Sequence, residues 1–412
     1  MHQSEFTGPS PSRGKWVALS TYAVAHATTI IGAMVLGILL PSMTEELGLS
    51  PPQQGWLGSS ALIGSLLVSL PFGWWLSRYN AKMTTTITLA VGALLVFAQG
   101  WAPTFAVLLA ARLLFGLTVV ARDPARALLV HQWLRGREVL LFNGLLNAVF
   151  GVALTVGFVA TPFVLKAFDG DWRDTTYSYA VVNGAMVLAW VLLGRENISQ
   201  SYRRRVASQA GTPLQSLFKY KEPWLVGLGM VGYSVAQMAQ LTFWPTFMKE
   251  TYGMSLVESG FLIGILGLVV ASGGIVVVPV LSKAGGNRLP LVALGVAMSG
   301  TFLGLLLTDL IPVLAVMFLV NGLTRGAFWT IFNTVPFELP GSTPRETAVA
   351  QSLMMTMFWA GGVLGPILVG FLHEATADLE LAMVVSSLFP LGISLTAVFL
   401  PGKVRQEQVE IS

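Results

Sequence analysis

The chain has 412 residues, of which 54% are hydrophobic and only 11% charged, with 24 Lys and Arg against 20 Asp and Glu. An ordinary soluble domain carries about 25% charged residues, so a water-soluble enzyme is excluded and a bilayer is the environment that accommodates this composition. The absence of cysteine excludes a disulfide scaffold, thiolate metal sites and thiol catalysis, and a formal charge of +4 gives no reason to expect a nucleic-acid partner.

A helical span needs roughly 20 predominantly apolar residues. Twelve such stretches are predicted in chain order: 16–40, 54–77, 83–101, 104–133, 139–165, 176–193, 223–248, 256–282, 288–308, 311–336, 347–372 and 379–400. The connections are short except for the polar segment 194–222, which contains Arg203, Arg204 and Arg205. The expected fold is an all-α membrane protein of two pseudo-symmetric six-helix bundles, over 1–193 and 223–412, joined by a cytoplasmic linker at 194–222. The residues ahead of Lys15 lack the charged region and small-residue cleavage site of a signal peptide, so the first span is expected to be retained.

Loop Lys and Arg set the orientation. Seventeen lie on one side, among them Arg78, Lys82, Arg135, Arg137, the run Arg203 to Arg205, Lys219, Lys221, Lys283 and Arg288, and the other side holds Lys166, Arg173 and Lys249. Both termini are therefore expected in the cytoplasm, with the basic run close to anionic lipid. A bacterial cytoplasmic or inner membrane is the expected location. Four arginines remain inside spans: Arg112, Arg122, Arg126 and Arg325.

Short similarities recur at about half the chain length. Gly-Leu-Thr at 116–118 returns at 322–324, Leu76-Ser77-Arg78 as Leu281-Ser282-Lys283, and Phe150 and Gly157 as Phe358 and Gly365. Pro41, read as closing the first span, has its counterpart in Pro245. The offsets land on equivalent spans of two six-helix halves. Parallel repeats of this kind are one plan of duplicated carriers, with the substrate site between the halves.

The loop after the second span reads Gly73-Trp-Trp-Leu-Ser77-Arg78-Tyr-Asn80-Ala-Lys82, and the fourth span runs from Arg112-Leu-Leu-Phe-Gly116 through Pro124-Ala125 to Trp133 and Arg137-Glu138. On these residues the chain resembles the major facilitator superfamily over essentially its whole length. The first stretch is similar to that superfamily's Gly-x-x-x-Asp-Arg-x-Gly-Arg-Lys loop, with Ser77, Asn80 and Ala81 at three departing positions. The second is similar to the fourth-span pattern of organic-anion and related uptake carriers. Val119 occupies the position where many of those carry a Glu seven residues after the arginine. The fifth span, GVALTVGFVATP over 151–162, lacks the Gly-Pro motif of drug antiporters. The resemblance implies a secondary carrier and leans towards uptake or exchange of a small solute. In the resembling family the arginine at position 112 often braces the first span.

A charge at the bilayer centre costs on the order of 2.5–3.5 kcal/mol on insertion scales, and such residues usually face a cavity or a partner. Arg112, Gly116, Val119, Asp123, Arg126 and Val130 recur at steps of four and three on one helix face. Arg122 lies about 100° to the side of Asp123. Pro124 removes an amide donor and crowds the Val120 carbonyl, so a kink is expected beside these charges. Two readings stand. Arg122 or Arg126 attracts an anion while Asp123 orients an arginine or titrates, or the three form a closed brace near the cytoplasmic mouth. Arg325 has Asn321 one turn before it, Trp329 one turn after it and no acid within a turn. A guanidinium without a local carboxylate suits bidentate binding of an oxyanion, although pairing with Asp123 as a gate is the alternative. Four buried arginines against one clear acid predict an anionic substrate.

Polar residues mark other spans. Tyr22, His26 and Thr29 share a face of the first, where His26 has the chemistry of a proton carrier or of a helix-joining hydrogen bond. Tyr233, Gln237, Gln240 and Trp244 share a face of the seventh, and two glutamines in an apolar span must find partners. Asn143 and Asn147 on the fifth span, and Gln351, Met354, Met355, Phe358 and Trp359 on the eleventh, are cavity or packing candidates. No phosphate-binding glycine loop is present, so direct ATP drive is not expected, and no cofactor is called for.

The leading expectation is a monomeric secondary transporter for a small organic carboxylate or inorganic oxyanion. It would work by alternating access, coupled to H+ or Na+ as a symporter, with Arg325, Arg126, Arg122, Asn321, Gln237, Gln240, Tyr233, Tyr22 and Asn147 at the substrate. Asp123, His26, Arg112, Trp329 and Phe358 are expected in coupling or gating. A proton-driven exporter of drugs or amphiphiles and a non-transporting membrane sensor are the competing readings.

Overall fold

A computed structural model describes residues 12–76, 80–134, 137–196, 219–279, 288–339 and 344–400. Its described residues contain helices and turns but no strand. The first span is Ser12–Met34 continued by Leu36–Leu47, the second Pro51–Leu76, the third Ala81–Trp101, and the fourth Phe105–Val120 with Arg122–Trp133. The fifth to ninth are Arg137–Ala167, Trp172–Leu193, Glu222–Tyr252, Leu256–Val276 and Arg288–Gly304. Ile311–Thr334 with a 3-10 turn at Val335–Phe337 is the tenth, Pro344–Thr376 the eleventh, and Leu379–Leu388 with Leu391–Val398 the twelfth.

Seven of these helices are long and apolar enough to cross a membrane on composition alone, and three shorter ones are apolar. The seventh span meets neither description because its polar side chains lower its hydropathy. Its position explains the tolerance. From Val226 to Met248 nearly every residue is buried, so this helix faces other helices and hardly meets lipid. The third, sixth, ninth and twelfth spans sit at the other extreme, with Leu94, Val181, Leu192, Val296 and Leu395 strongly exposed.

Prolines act unequally on these helices. The fourth span breaks at Ala121, three residues before Pro124, as the missing amide donor and the crowded Val120 carbonyl predict. The twelfth breaks at Phe389 and Pro390. The helices run on through Pro162, Pro245 and Pro366. Pro41 does not close the first span, contrary to the sequence reading. It lies inside Leu36–Leu47, and the chain turns at Gly48, whose φ of 61° suits a residue without a Cβ. The interruption of that span is at Val35.

The first six spans meet the last six chiefly through the second against the eleventh, the fifth against the eighth and the first against the seventh. The approach is close enough to exclude side chains. Gly55 faces the Pro366 carbonyl, and Gly151 and Gly267 face each other's backbone, with no room for a Cβ at any of them. Two bonds cross the same seam, from Ser59 Oγ to the Val363 carbonyl at 2.6 Å and from Thr155 Oγ1 to the Gly264 carbonyl at 2.8 Å. The Ser59 pair and Gly55 lie in the part of the molecule away from the first residue of the first span.

At that far end Glu46 ties three spans together. Its carboxylate accepts from Arg173 Nε at 2.8 Å and from Trp172 Nε1 at 2.5 Å, while Arg173 also donates to the Gly100 and Ala102 carbonyls at 2.9 and 2.7 Å. At the opposite end Lys15 pairs with Glu138 at 2.6 Å and Lys219 with Glu346 at 3.0 Å. The loop motif residues Ser77 and Arg78 and the run Arg203 to Arg205 lie outside the described residues.

Candidate functional site

Two clusters of polar and aromatic groups form in mid-helix. The first joins the first and fourth spans at the Ala121 break. Tyr22 hydroxyl donates to the Arg122 backbone carbonyl at 3.1 Å, and Arg122 Nη1 donates to Thr29 Oγ1 at 3.0 Å. Thr29 passes its own proton to the Ala25 carbonyl at 2.8 Å, so its oxygen is free to accept from the guanidinium. The His26 ring stacks on Tyr22 with centroids 5.8 Å apart and lies within electrostatic reach of Arg122 and Arg126. Its Nδ1 is buried without a hydrogen-bond partner. Trp190 of the sixth span closes against Tyr22 edge-on at 5.9 Å. Arg122 is fully buried, whereas Arg126 is half-buried.

The second cluster belongs to the seventh, tenth and eleventh spans. Trp329 Nε1 donates to the Tyr233 hydroxyl at 3.3 Å. Phe358 packs against Trp329 at 5.2 Å and stacks with Tyr233 at 6.4 Å, and Trp359 continues the wall at 4.9 Å from Phe358. Arg325 lies one turn before Trp329 on the tenth span, 2% exposed. Its Nη2 donates to Gln240 Oε1 at 2.7 Å and its guanidinium sits 5.0 Å over the Phe302 ring. Arg325 Nε and Gln240 Nε2 are buried without partners, and no carboxylate pairs with Arg325 among the described residues. Gln237 is half-buried, and its Oε1 has no partner.

Two of the predicted residues stand apart from both clusters. Arg112 is buried and its donors are engaged by four groups: the Leu57 and Ala33 carbonyls at 3.3 and 3.2 Å, Ser60 Oγ at 3.2 Å and Gln99 Oε1 at 3.2 Å. Its geometry is that of a brace across the first four spans. Asn321 is turned to the ninth span, where its amide donates to Thr301 Oγ1 at 2.7 Å. The side chains of Asp123, Asn143 and Asn147 lie outside the described residues. Phe302 under Arg325, and Trp190 against Tyr22, escaped the sequence reading because an aromatic residue on an apolar span carries no mark of its neighbour.

The arrangement resembles carriers already known. A family model described as "Major Facilitator Superfamily" matches residues 22–366. The chain belongs to the Major Facilitator Superfamily. As a member of that superfamily it is an integral, multi-pass membrane transport protein and not an enzyme. Among curated relatives, a probable sulfoacetate transporter of Cupriavidus necator is 22% identical, the match covering 93% of each chain. A probable galactarate/D-glucarate transporter of Bacillus subtilis is 23% identical over 98% of this chain and 96% of its own. Among solved structures, a nucleoside transporter, NupG, superposes with a TM-score of 0.75 at 15% identity, over 94% of this chain and 98% of that one. A bacterial homologue of the human lysosomal transporter Spinster, in an inward-facing and unoccupied conformation, gives a TM-score of 0.71 at 16% identity, over 95% of both chains. At such identities these structures establish the superfamily fold and nothing finer.

Proposed function

We propose that this superfamily member is a secondary transporter of a small organic anion, a carboxylate or sulfonate. The observation that carries the reading is Arg325, a buried guanidinium with a single side-chain hydrogen bond and no carboxylate among its described partners. A buried charge is costly unless it is compensated, and an oxyanion is the ligand whose geometry a guanidinium matches. Arg122, Arg126 and Thr29 offer a second positive region on the first and fourth spans. The relatives named for sulfoacetate and for galactarate or D-glucarate are both named for anions, which supports the same substrate sign.

In this proposal the bundles over 1–193 and 223–412 rock about the site, with 194–222 linking them. The end bearing the first residue of the first span faces the cytoplasm, because the loop arginines and lysines concentrate there. The glycine seam then closes the outer side, and substrate reaches the site from within. Coupling to H+ would use His26, the histidine of the first span within electrostatic reach of Arg122 and Arg126; Na+ is the alternative ion.

Purified protein in detergent, challenged with sulfoacetate, D-galactarate and D-glucuronate, tests the anion reading by thermal shift, since a ligand that binds the folded state raises its apparent stability. At least one anion is expected to raise the Tm of the wild type, to do so weakly in Arg325→Lys and not at all in Arg325→Ala. Proteoliposomes of Arg325→Ala and Arg126→Ala that both moved anions at wild-type rates would end the proposal.

A further inference from the structure

Two side-chain hydrogen bonds join the seventh span to the tenth. Arg325 Nη2 donates to Gln240 Oε1 at 2.7 Å, and Trp329 Nε1 donates to the Tyr233 hydroxyl at 3.3 Å. Tyr233 lies seven residues before Gln240, and Trp329 lies four after Arg325. Both steps come within about 40° of whole helical turns, so the two bonds sit on matching faces of the same antiparallel pair. They are successive rungs, about 6 Å apart along the tenth span.

The direction of each bond decides what is left for a ligand. An indole nitrogen only donates, whereas a hydroxyl donates and accepts. Trp329 therefore occupies a lone pair of the Tyr233 oxygen, and the hydroxyl hydrogen is left to donate elsewhere. No acceptor takes it among the described residues. Tyr22 stands at the matching place in the first span, where Tyr22, His26 and Thr29 repeat the spacing of Tyr233, Gln237 and Gln240. Its hydroxyl hydrogen is engaged by the Arg122 carbonyl at 3.1 Å. In the other rung the Gln240 oxygen must face the guanidinium, which leaves the amide nitrogen as a donor without a partner, as is Arg325 Nε. In both rungs the seventh span supplies the acceptor and the tenth the donor, so the groups left over in the rungs are donors. Gln237 Oε1, an unpartnered acceptor on the same face, can serve a hydroxyl elsewhere on the same ligand. Tyr233 is buried within electrostatic reach of Arg325, and its ring is held by Phe328 at 5.5 Å and Phe358 at 6.4 Å.

We infer that the Tyr233 hydroxyl is a ligand of the transported anion, donating to the oxyanion head that Arg325 attracts, and that Trp329 is the positioning residue that turns the hydroxyl to do so. This rests on the anion reading above and adds a second donor to it. A carboxylate offers about four lone-pair sites, more than one guanidinium fills.

Calorimetric titration of purified protein in nanodiscs with sulfoacetate, D-galactarate and D-glucuronate tests it on whichever of these the wild type binds. Tyr233→Phe keeps the ring and is expected to weaken binding about tenfold or more, because the hydrogen bond lost is one to a charged group. Trp329→Phe keeps an aromatic side chain without the N–H and is expected to weaken binding about threefold. The double variant is expected to bind no worse than Tyr233→Phe alone, since Trp329 acts through the hydroxyl. Losses that multiply in the double variant overturn the positioning role and show that Trp329 acts by packing. An unchanged affinity in Trp329→Phe overturns that role as well. Tyr233→Phe binding within about twofold of wild type overturns the whole inference, while loss of binding in Arg325→Ala keeps the anion reading standing. A wild type that binds none of the three removes the anion reading and this inference with it. The titrated stoichiometry reports the fraction that folds, so a poorly folding variant still yields its affinity.

Discussion

Arg112 and Arg325 are both about 2% exposed, yet their surroundings differ sharply. Four groups from three other spans satisfy Arg112, whereas Arg325 has one amide oxygen and a ring face. Replacing Arg112 by leucine removes the brace. Hydrogen bonds within membranes are worth about 0.6 kcal/mol each on average, so Arg112→Leu is expected to cost about 2 kcal/mol, seen as a lowered Tm and yield. Arg325→Leu removes an uncompensated buried charge and orphans only Gln240 Oε1, so the unliganded Tm is expected to stay within a few degrees of wild type. Its ligand-induced shift is expected to vanish. A large loss of stability in Arg325→Leu would show that this arginine, too, is structural. The sequence alone located both residues, because arginines are scarce in these spans. It could not separate their roles fully, since two of the acceptors on Arg112 are the backbone carbonyls of Ala33 and Leu57, and a carbonyl has no sequence signature.

The element scale repeats that contrast. The break at Ala121 was legible because proline chemistry is local. The break at Val35 was not, and Pro41 marked no end, because a tertiary contact decided both: the extended Leu36–Leu47 packs on the seventh span, and Glu46 at its end is held by Trp172 and Arg173. The glycines gave no warning either, since 43 of them are spread through the chain and only the fold shows which face a partner backbone. At Gly55 no Cβ fits against Pro366, so Gly55→Val is expected to wedge the second span from the eleventh and hold the glycine seam open. The measurement is thiol labelling of Thr242→Cys, a buried seam position in a chain with no native cysteine to interfere. Labelling is expected to be several-fold faster in the Gly55→Val background and transport to be lost. Unchanged labelling would mean that the seam tolerates the added methyl groups and does not control closure.

For the whole molecule, twelve spans were legible because apolarity and length are averaged over some twenty residues, an average that single errors do not upset. The seventh span tests that logic hardest, as composition alone does not qualify it, and burial within the protein accounts for its polarity. It is also the best ruler for orientation. Glu222–Tyr252 has 31 residues, about 45 Å of helix, long enough to cross the bilayer and project on both sides. Lys221 at its start and Glu250 near its end are both exposed. If the basic loops face the cytoplasm, a membrane-impermeant maleimide added to intact cells is expected to label Glu250→Cys at once and Lys221→Cys only after permeabilisation. The reverse pattern would invert the topology, and with it the glycine seam would close the cytoplasmic side. Labelling of both in intact cells would show that this helix does not span. Because the two positions share one rigid element, no rearrangement of loops can mimic the expected result, and the same pair of variants decides from which side the proposed anion would reach Arg325.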